Sequence, residues 1–303
     1  MHNFISKTMA IEAKIKAVFQ DQLRADGNFY HYPNSPKLSD SELLAISIQA
    51  ESEGINSENH LFTVLKGRLP GFLDGRISRP RFNIRKRKLN LFMEDFFLKA
   101  HGLILPSSTH FVVDSTPLPV CKLARIPSLK NCKDNPDIPP KMGKCIAKKE
   151  DYFGFKIHLI STQDSVPYAF SITSANVHDL TAFQEMTQVV DLKKGEVLAD
   201  KGYVSNPFQL HLFEKKEVRI KAKPRLNMKT PINWTPKDGA IRRRIETLFS
   251  QLHDQFALVQ NFAKTFNGLC TRITHKLAAV LICQVFNNEN DRPINAIKSS
   301  PFS

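Results

Sequence analysis

The chain has 303 residues, of which 42% are hydrophobic, so it is long enough to bury one large core, or a large core and a small one. Its 43 Lys and Arg residues against 29 Asp and Glu residues give a net charge of +14, which favours a polyanionic partner: nucleic acid or an acidic membrane surface. The start MHNFISKTMA contains no apolar signal region, and the longest apolar run, LAAVLICQVF, is too short to span a bilayer. We therefore expect a cytoplasmic protein with no membrane partner.

The cysteines do not indicate a disulfide framework, because they are odd in number and include no C-x-x-C pair. Cys121, Cys132 and Cys145 have the chemistry to hold a metal ion. Structural zinc sites, however, usually show closely spaced pairs of ligands, and these three cysteines are not paired in that way.

Residues 1–105 are predicted to be helical. Apolar residues recur at helical spacing over 11–23 and again over 89–97, which is typical of amphipathic helices. The sequence SDSE at 39–42 is a capping box and predicts that a helix begins there, and a shorter helix is predicted over 57–66. Because the chain is basic, we interpret residues 1–105 as an all-helical DNA-binding region.

A basic run, SRPRFNIRKRK, occupies residues 78–88 and is predicted to be a linker into the last of these helices. Such a run is commonly a solvated face, and in a chain of this charge it is equally consistent with DNA contact. The candidate DNA contacts in this run are Arg85, Lys86, Arg87 and Lys88.

From residue 108 the pattern changes to strands. Segments rich in β-branched and aromatic residues are separated by the hairpin signal STQD and then alternate with helical segments, which predicts one mixed sheet flanked by helices. The predicted strands are 110–114, 152–161, 166–175, 197–200 and 218–223, and the predicted helices are 179–190, 208–216, 240–256 and 272–286. The proline-containing basic segment 121–149 is expected to be a loop without regular structure.

Two of the predicted strands end on an aspartate. FVVD ends at Asp114 and VLAD ends at Asp200, and each is followed at once by turn-forming residues. Sites in open α/β sheets gather at the carboxyl ends of strands, so these two side chains are expected to converge. Taken singly, an aspartate in such a place is more often a turn or helix cap.

A third carboxylate lies on the predicted helix 240–256, where Glu246 flanks an apolar stripe and shares that flank with Arg242 and His253. Alone, Arg242 and Glu246 would be an ordinary surface pair. Three carboxylates in a mostly buried place would repel one another unless a cation lay between them, and hard divalent metal ions suit carboxylate oxygens. A pair of such ions activates a water or a 3′-hydroxyl and stabilises the leaving oxygen of a phosphodiester.

The blocks VDSTPLPVC, FGFKIHLI, SANVHD, ADKGY and IRRRIET, in this order, resemble the successive motifs of DDE transposases from bacterial insertion sequences. The resemblance extends over about residues 108–256. It implies a mixed α/β fold with a ribonuclease H-like catalytic domain over 106–260, followed by a C-terminal helix and tail over 261–303. It also implies that Asp114, Asp200 and Glu246 form an acidic triad that binds Mg²⁺ or Mn²⁺, as a pair of ions.

The same resemblance implies lesser roles for other residues. Lys156, Lys201 and Arg242 match positions that contact DNA, and His253 stands where many relatives carry Lys or Arg, so that contact would be weaker or pH-dependent. His178 and Asp179 match the family's His-Asp block, although the simpler interpretation of Asp179 is a helix cap.

The predicted function is therefore that of an insertion-sequence transposase, which binds terminal inverted repeats, cuts the element ends and joins the 3′-hydroxyls to target DNA. Its expected partners are double-stranded DNA and a second copy of itself on that DNA, in the nucleoid. One alternative is an inactive or domesticated DNA-binding protein, against which the intact triad argues. A phosphatase with an aspartate nucleophile fits poorly, because Thr116 stands where such enzymes carry a second aspartate.

Overall fold

The computed structural model describes residues 2–104, 108–145, 149–192, 194–203, 205–222, 234–260 and 262–300. The chain divides into two compact units. Unit 1 consists of residues 1–104, 252–263 and 267–303. Unit 2 consists of residues 105–251 and 264–266.

The elements of the described chain follow the predicted order of helices first and then strands alternating with helices. The helices are α1 (His2–Val18), α2 (Asp40–Ser52), α3 (Glu58–Arg68), α4 (Arg79–Lys88), α5 (Asn90–Ala100), α6 (Asp179–Val189), α7 (Asn206–Lys216), α8 (Pro236–Asp254) and α9 (Phe266–Glu289). The strands are β1 (His110–Cys121), β2 (Lys141–Cys145), β3 (Glu150–Thr162), β4 (Pro167–Ser174), β5 (Glu196–Ala199) and β6 (Arg219–Ala222).

The capping box predicted at residues 39–42 is present and starts α2. The Ser39 hydroxyl accepts a hydrogen bond from the Glu42 N–H at 3.2 Å, and the Glu42 carboxylate accepts one from the Ser39 N–H at 2.9 Å. Nearly every residue of α2 is buried, polar ones included. A helix that is buried on all sides lies in the interior of its domain, so α2 is a core helix of unit 1.

The run at residues 78–88 is not a linker, because it forms α4, with a proline in the first turn where a missing N–H costs nothing. Arg85 is 8% exposed, donates to the Leu38 carbonyl at 2.8 Å and pairs with the buried Asp40 at 2.5 Å. Lys86 is 4% exposed and lies between two carboxylates of unit 1. Both side chains are therefore held by carboxylates of unit 1, and the predicted contact of Arg85 and Lys86 with DNA would require these ion pairs to break.

A buried network of charges joins α2, α3, α4 and α9. Lys86 lies 3.8 Å from Glu51 and 3.4 Å from Glu58, and Arg272 lies 2.7 Å from Glu58. Burial alone would raise the pKa of Glu58, but Lys86 and Arg272 outweigh it and hold that pKa at about 2. Removing one member of such a network leaves an unpaired buried charge, so the loss of a single member is expected to destabilise unit 1.

We expect the stability of the protein to fall in acid because of Glu58. Its folded pKa of about 2 lies below the ordinary 4.5, so its contribution is complete above pH 4.5 and is lost as the pH falls towards 2. The shift corresponds to about 3 kcal/mol. Thermal melting of the wild type and of Glu58→Gln should differ most near neutral pH, and the difference should shrink as the pH is lowered. A difference that is constant with pH would contradict this assignment.

The C-terminal helix α9 is longer than the predicted segment 272–286 and is long and apolar enough to cross a membrane by length and composition alone. In the structure 94% of its most apolar window is buried, and the helix carries Arg272 and Lys276, both paired with carboxylates of unit 1. These are the properties of a core helix in a soluble domain, and one such helix is weak evidence for a membrane span.

Unit 2 contains a mixed sheet in the order β4-β3-β1-β5-β6, with β2 along the same edge of β3 as β4. Strand β3 runs antiparallel to β1 and to β4, whereas β5 and β6 run parallel to β1 and to each other. Helices follow the strands in the chain, as in the crossover connections of parallel strands. The predicted mixed α/β fold, with one mixed sheet flanked by helices, is confirmed.

Strand β1 does not end at Asp114 as predicted, because it continues through Pro117 and Pro119 to Cys121. It pairs with β3 along its whole length, but with β5 only from His110 to Val112. Beyond Val112 one edge of β1 has no neighbouring strand among the residues that the structure describes, and prolines are tolerated there because no N–H is needed.

The predicted loop 121–149 is also not wholly irregular, since β2 pairs with the first residues of β3. Residues 146–148 of this segment lie outside the described chain. The register between β1 and β3 shifts just beyond the pair of Pro119 with Gly154. Gly154 has a φ of +154°, and a Cβ atom on it would lie 2.4 Å from the Leu118 carbonyl oxygen, so only glycine fits this position. The strands therefore extend beyond Asp114 as a ribbon formed by β2 and by the outer halves of β1 and β3.

One hydrophobic core cluster of unit 2 lies on one face of the sheet. Phe111 and Val113 of β1 are buried against aromatic and aliphatic residues of α6 and α7, including Phe183 and Phe208. Side chains alternate between the faces of a strand, so Asp114 projects from the opposite face.

Candidate active site

The parallel pairing of β1 and β5 places two aspartates at the same level. Val112 is paired with Leu198, and each strand reaches an aspartate two residues later, at Asp114 and Asp200. Asp114 is partly buried, whereas Asp200 is exposed directly after the last residue of β5. The predicted convergence of these two residues thus follows from strand register.

Helix α8 brings Glu246 to the same place. The Arg242 guanidinium lies 3.0 Å from the Glu246 carboxylate, one turn along the helix, and 3.8 Å from the Asp114 carboxylate on β1. The predicted apolar stripe of α8 is buried, which fixes the side of the helix that carries Arg242 and Glu246. A single guanidinium therefore joins two of the three predicted carboxylates.

The electrostatics of Asp114 reflect this setting. The pKa of Asp114 is raised to about 6, chiefly by burial; the carboxylates of Asp200 and Glu246 also raise this pKa, whereas the Ser115 N–H and Arg242 lower it. The Ser115 N–H donates to the Asp114 carboxylate at 2.8 Å. A carboxyl group whose pKa is raised by burial and by two neighbouring carboxylates is typical of a functional site.

The donor atoms of this site suit a hard divalent ion, because carboxylate oxygens are the ligands that Mg²⁺ and Mn²⁺ prefer. In the part of the chain that the structure describes, no three His, Cys, Asp or Glu side chains stand close enough together to bind an ion as they are arranged. This finding also gives no support to a metal site at Cys121, Cys132 and Cys145. The Glu246 side chain is 50% exposed, so burial does not fix it in its pairing with Arg242.

The residue of the His-Asp block that caps α6 is not the expected Asp179. The cap is His178, whose Nδ1 accepts a hydrogen bond from the Leu180 N–H at 3.2 Å. Asp179 instead pairs with Lys156 at 2.8 Å and accepts a hydrogen bond from the Ser115 hydroxyl at 3.1 Å. Histidine is an uncommon cap, which is why the sequence pattern favoured Asp179.

The remaining predicted DNA contacts are scattered. Lys201 begins a short 3₁₀ helix directly after Asp200 and is partly exposed. His253 lies near the end of α8 in the stretch that belongs to unit 1 and is partly buried. In α4, Arg87 is partly exposed and Lys88 is exposed.

Sequence reasoning missed Ser115 and Tyr203 as parts of this site. Tyr203 is 1% exposed, and burial, together with the charges of Asp179 and Asp114, raises its pKa well above the ordinary value, so its hydroxyl stays protonated. Ser115 lies in the block VDSTPLPVC and Tyr203 in the block ADKGY. Their closeness in sequence to Asp114 and Asp200 is the signal that could have identified them as parts of the site.

Comparison with known proteins gives one family match. The family model described as "Transposase DDE domain" matches residues 107–261. No curated protein matches the chain. Among solved structures, the cryo-EM structure of the piggyBac transposase synaptic complex with hairpin DNA aligns with 98% of this chain and 76% of its own, with a TM-score of 0.47 and 12% sequence identity.

Proposed function

The chain belongs to the DDE transposase family, and from that premise we propose that it cuts DNA at the ends of an insertion sequence and joins the freed 3′-hydroxyls to target DNA. The observation that carries the proposal is the meeting of Asp114 and Glu246 at the guanidinium of Arg242, with Asp200 at the level of Asp114 on the next strand.

DDE transposase domains generally use divalent metal ions, and we propose that Asp114, Asp200 and Glu246 hold Mg²⁺ or Mn²⁺, as a pair of ions. When bound, such ions activate the attacking oxygen and stabilise the leaving oxygen of a phosphodiester. The protein's own contribution is positional. The register of β1 and β5 places Asp114 and Asp200 at the same level of the sheet. Arg242 pairs with Glu246 and offsets the negative charge of the site before a metal ion binds.

The proposed DNA contacts lie in both units. In unit 2, the segment 122–149 carries exposed basic side chains on and beside β2, at Lys122, Arg125, Lys130, Lys133, Lys141 and Lys144. In unit 1, the proposed DNA contacts are Arg87, which is partly exposed, and Lys88, which is exposed. Phosphate contacts by Lys and Arg supply most of the affinity of such proteins for DNA, and they make binding dependent on salt.

We expect the double variant Lys141→Ala/Lys144→Ala to bind DNA more weakly and with a shallower salt dependence. Each lost phosphate contact lowers the slope of log affinity against log salt by about 0.9, so two contacts lower it by about 2. Fluorescence anisotropy with a labelled duplex at several salt concentrations measures both quantities.

The matched control for this prediction is Lys194→Ala/Lys215→Ala, which removes two exposed lysines from unit 2 near the opposite end of β5. The control should keep the wild-type slope. Equal slopes for wild type and Lys141→Ala/Lys144→Ala would show that β2 does not contact phosphates.

The function itself is tested by incubating the purified protein and Mg²⁺ or Mn²⁺ with duplexes taken from both flanks of its own gene, and by mapping any cut. We expect metal-dependent cuts at the ends of the element, followed by joining to a target plasmid. Binding without cleavage by a folded protein would favour the alternative of an inactive DNA-binding protein. We further propose that the protein acts as a dimer on DNA.

A further inference from the structure

A cluster of polar side chains lies on the face of β1 opposite Asp114. Its centre is the Asp179 carboxylate at the start of α6, which accepts from the Ser115 hydroxyl at 3.1 Å and from the Lys156 ammonium at 2.8 Å. Ser115 and His158 are cross-strand partners on β1 and β3, and His158 Nδ1 lies 3.8 Å from the same carboxylate oxygen. Three of the recognised sequence blocks, VDSTPLPVC, FGFKIHLI and SANVHD, therefore meet here, although the triad uses only the first of them.

The charges within this cluster are balanced. Lys156 also donates to the Val177 carbonyl at 3.0 Å, and its side chain is 15% exposed, so the ammonium is held in one place. Burial lowers the pKa of His158 to about 4 against the attraction of Asp179, so the imidazole is neutral at pH 7. Lys156 is thus the cation that offsets Asp179, and a phosphate contact by Lys156 would first have to break this pair.

The cluster reaches Asp114 through one residue. The Ser115 hydroxyl is bound by Asp179, and the Ser115 N–H donates to the Asp114 carboxylate at 2.8 Å. Backbone N–H groups alternate between the edges of a strand, so the Ser115 nitrogen faces the same open edge of β1 as the nitrogens of Pro117 and Pro119. No strand of the described chain pairs with this edge, and the Ser115 N–H instead donates to the Asp114 carboxylate and so orients it.

We propose that Asp179 is a positioning residue, which fixes Ser115 and thereby orients the Asp114 carboxylate towards a divalent ion. This inference rests on the proposed function, because it assumes that Asp114 is a metal ligand. Partners of this kind are known to matter, since their loss typically lowers metal affinity by about 10-fold to 100-fold.

The test is direct Mn²⁺ binding, measured by electron paramagnetic resonance of the free ion, on the full chain without DNA. Asp179→Ala should weaken binding by about 10-fold to 100-fold. Asp179→Asn, which keeps an acceptor oxygen, should weaken it less, and Ser115→Thr, which keeps the hydroxyl, should bind nearly as the wild type does. Because the two residues act through one hydrogen bond, Ser115→Ala/Asp179→Ala should be no weaker than Asp179→Ala.

Asp191→Asn is the matched control, since Asp191 is exposed just beyond the other end of α6, and it should leave Mn²⁺ affinity unchanged. If Asp179→Ala fails to fold, Ser115→Ala carries the test and is expected to show the same loss. Wild-type affinity in folded Asp179→Ala and Ser115→Ala, or losses that multiply in the double variant, would overturn the inference. Failure of the proposed function gives a different result, namely equal Mn²⁺ binding by the wild type and Asp114→Asn.

Discussion

Asp114→Asn should abolish DNA cleavage and strand transfer while leaving DNA binding intact. We expect a loss of roughly a thousandfold or more, equivalent to about 4 kcal/mol, because the amide keeps the shape of the side chain but removes the charge that holds a metal ion. Asp200→Asn and Glu246→Gln should give similar losses. A double variant should be no worse than either single variant, since residues that serve one chemical unit are not additive.

Thermal melting distinguishes this loss from unfolding. The folded pKa of Asp114, about 6, lies above the ordinary 3.8, so the group favours folding in acid, and this contribution is lost as the pH rises through about 6. Without metal at about pH 8, Asp114→Asn should therefore melt no lower than the wild type, and higher by an amount equivalent to at most about 3 kcal/mol. Substantial cleavage by a folded Asp114→Asn protein would refute the assignment. Inactivity accompanied by unfolding would make Asp114 a structural residue.

Lys276→Met should strongly destabilise unit 1. Lys276 is 1% exposed and lies 2.6 Å from Glu51, which is 2% exposed, and it also donates to the Phe256 carbonyl. Methionine has nearly the same length, so little cavity forms, but the Glu51 carboxylate loses its nearest cation. Breaking a buried pair in this way costs about 3–5 kcal/mol. Urea unfolding followed by far-ultraviolet circular dichroism measures the loss, since unit 1 is helical.

Two further variants show whether charge or packing is responsible. Glu51→Gln/Lys276→Met removes both charges and should recover part of the loss, because no uncompensated ion remains. Lys16→Met removes the exposed lysine that pairs with Glu12 and should cost less than about 1 kcal/mol. If Lys276→Met is as mild as Lys16→Met, Lys276 does not carry the stability assigned to it.

Much of the secondary structure was determined by local sequence. The capping box started α2 where it was predicted, because both of its hydrogen bonds lie within one turn. The apolar stripe of α8 and the strands β3 and β4 were also predicted correctly, since one helix face and a local run of β-branched and aromatic residues carry that information. The placement of Asp200 directly after β5 follows from the same local pattern.

Tertiary structure decided the features that depend on partners distant in the chain. The run at 78–88 has almost no apolar pattern, and it is a helix whose Arg85 and Lys86 are buried because Asp40, Glu51 and Glu58 lie against them. In the same way, α9 belongs with the N-terminal helices through ion pairs to Glu51 and Glu58. Such pairings are invisible locally, because a charge that is buried and paired has the same sequence signature as a solvated one.

The candidate site combines both kinds of information. The sequence by itself determined which carboxylates to consider and that Arg242 and Glu246 share one flank of a helix. It did not determine that β1 continues past Asp114, since prolines normally end a strand, and only the absence of β5 beyond Val112 makes them acceptable. That open edge leaves the Ser115 N–H available to Asp114, so tertiary pairing, and not the local sequence, decided how the first carboxylate of the site is held.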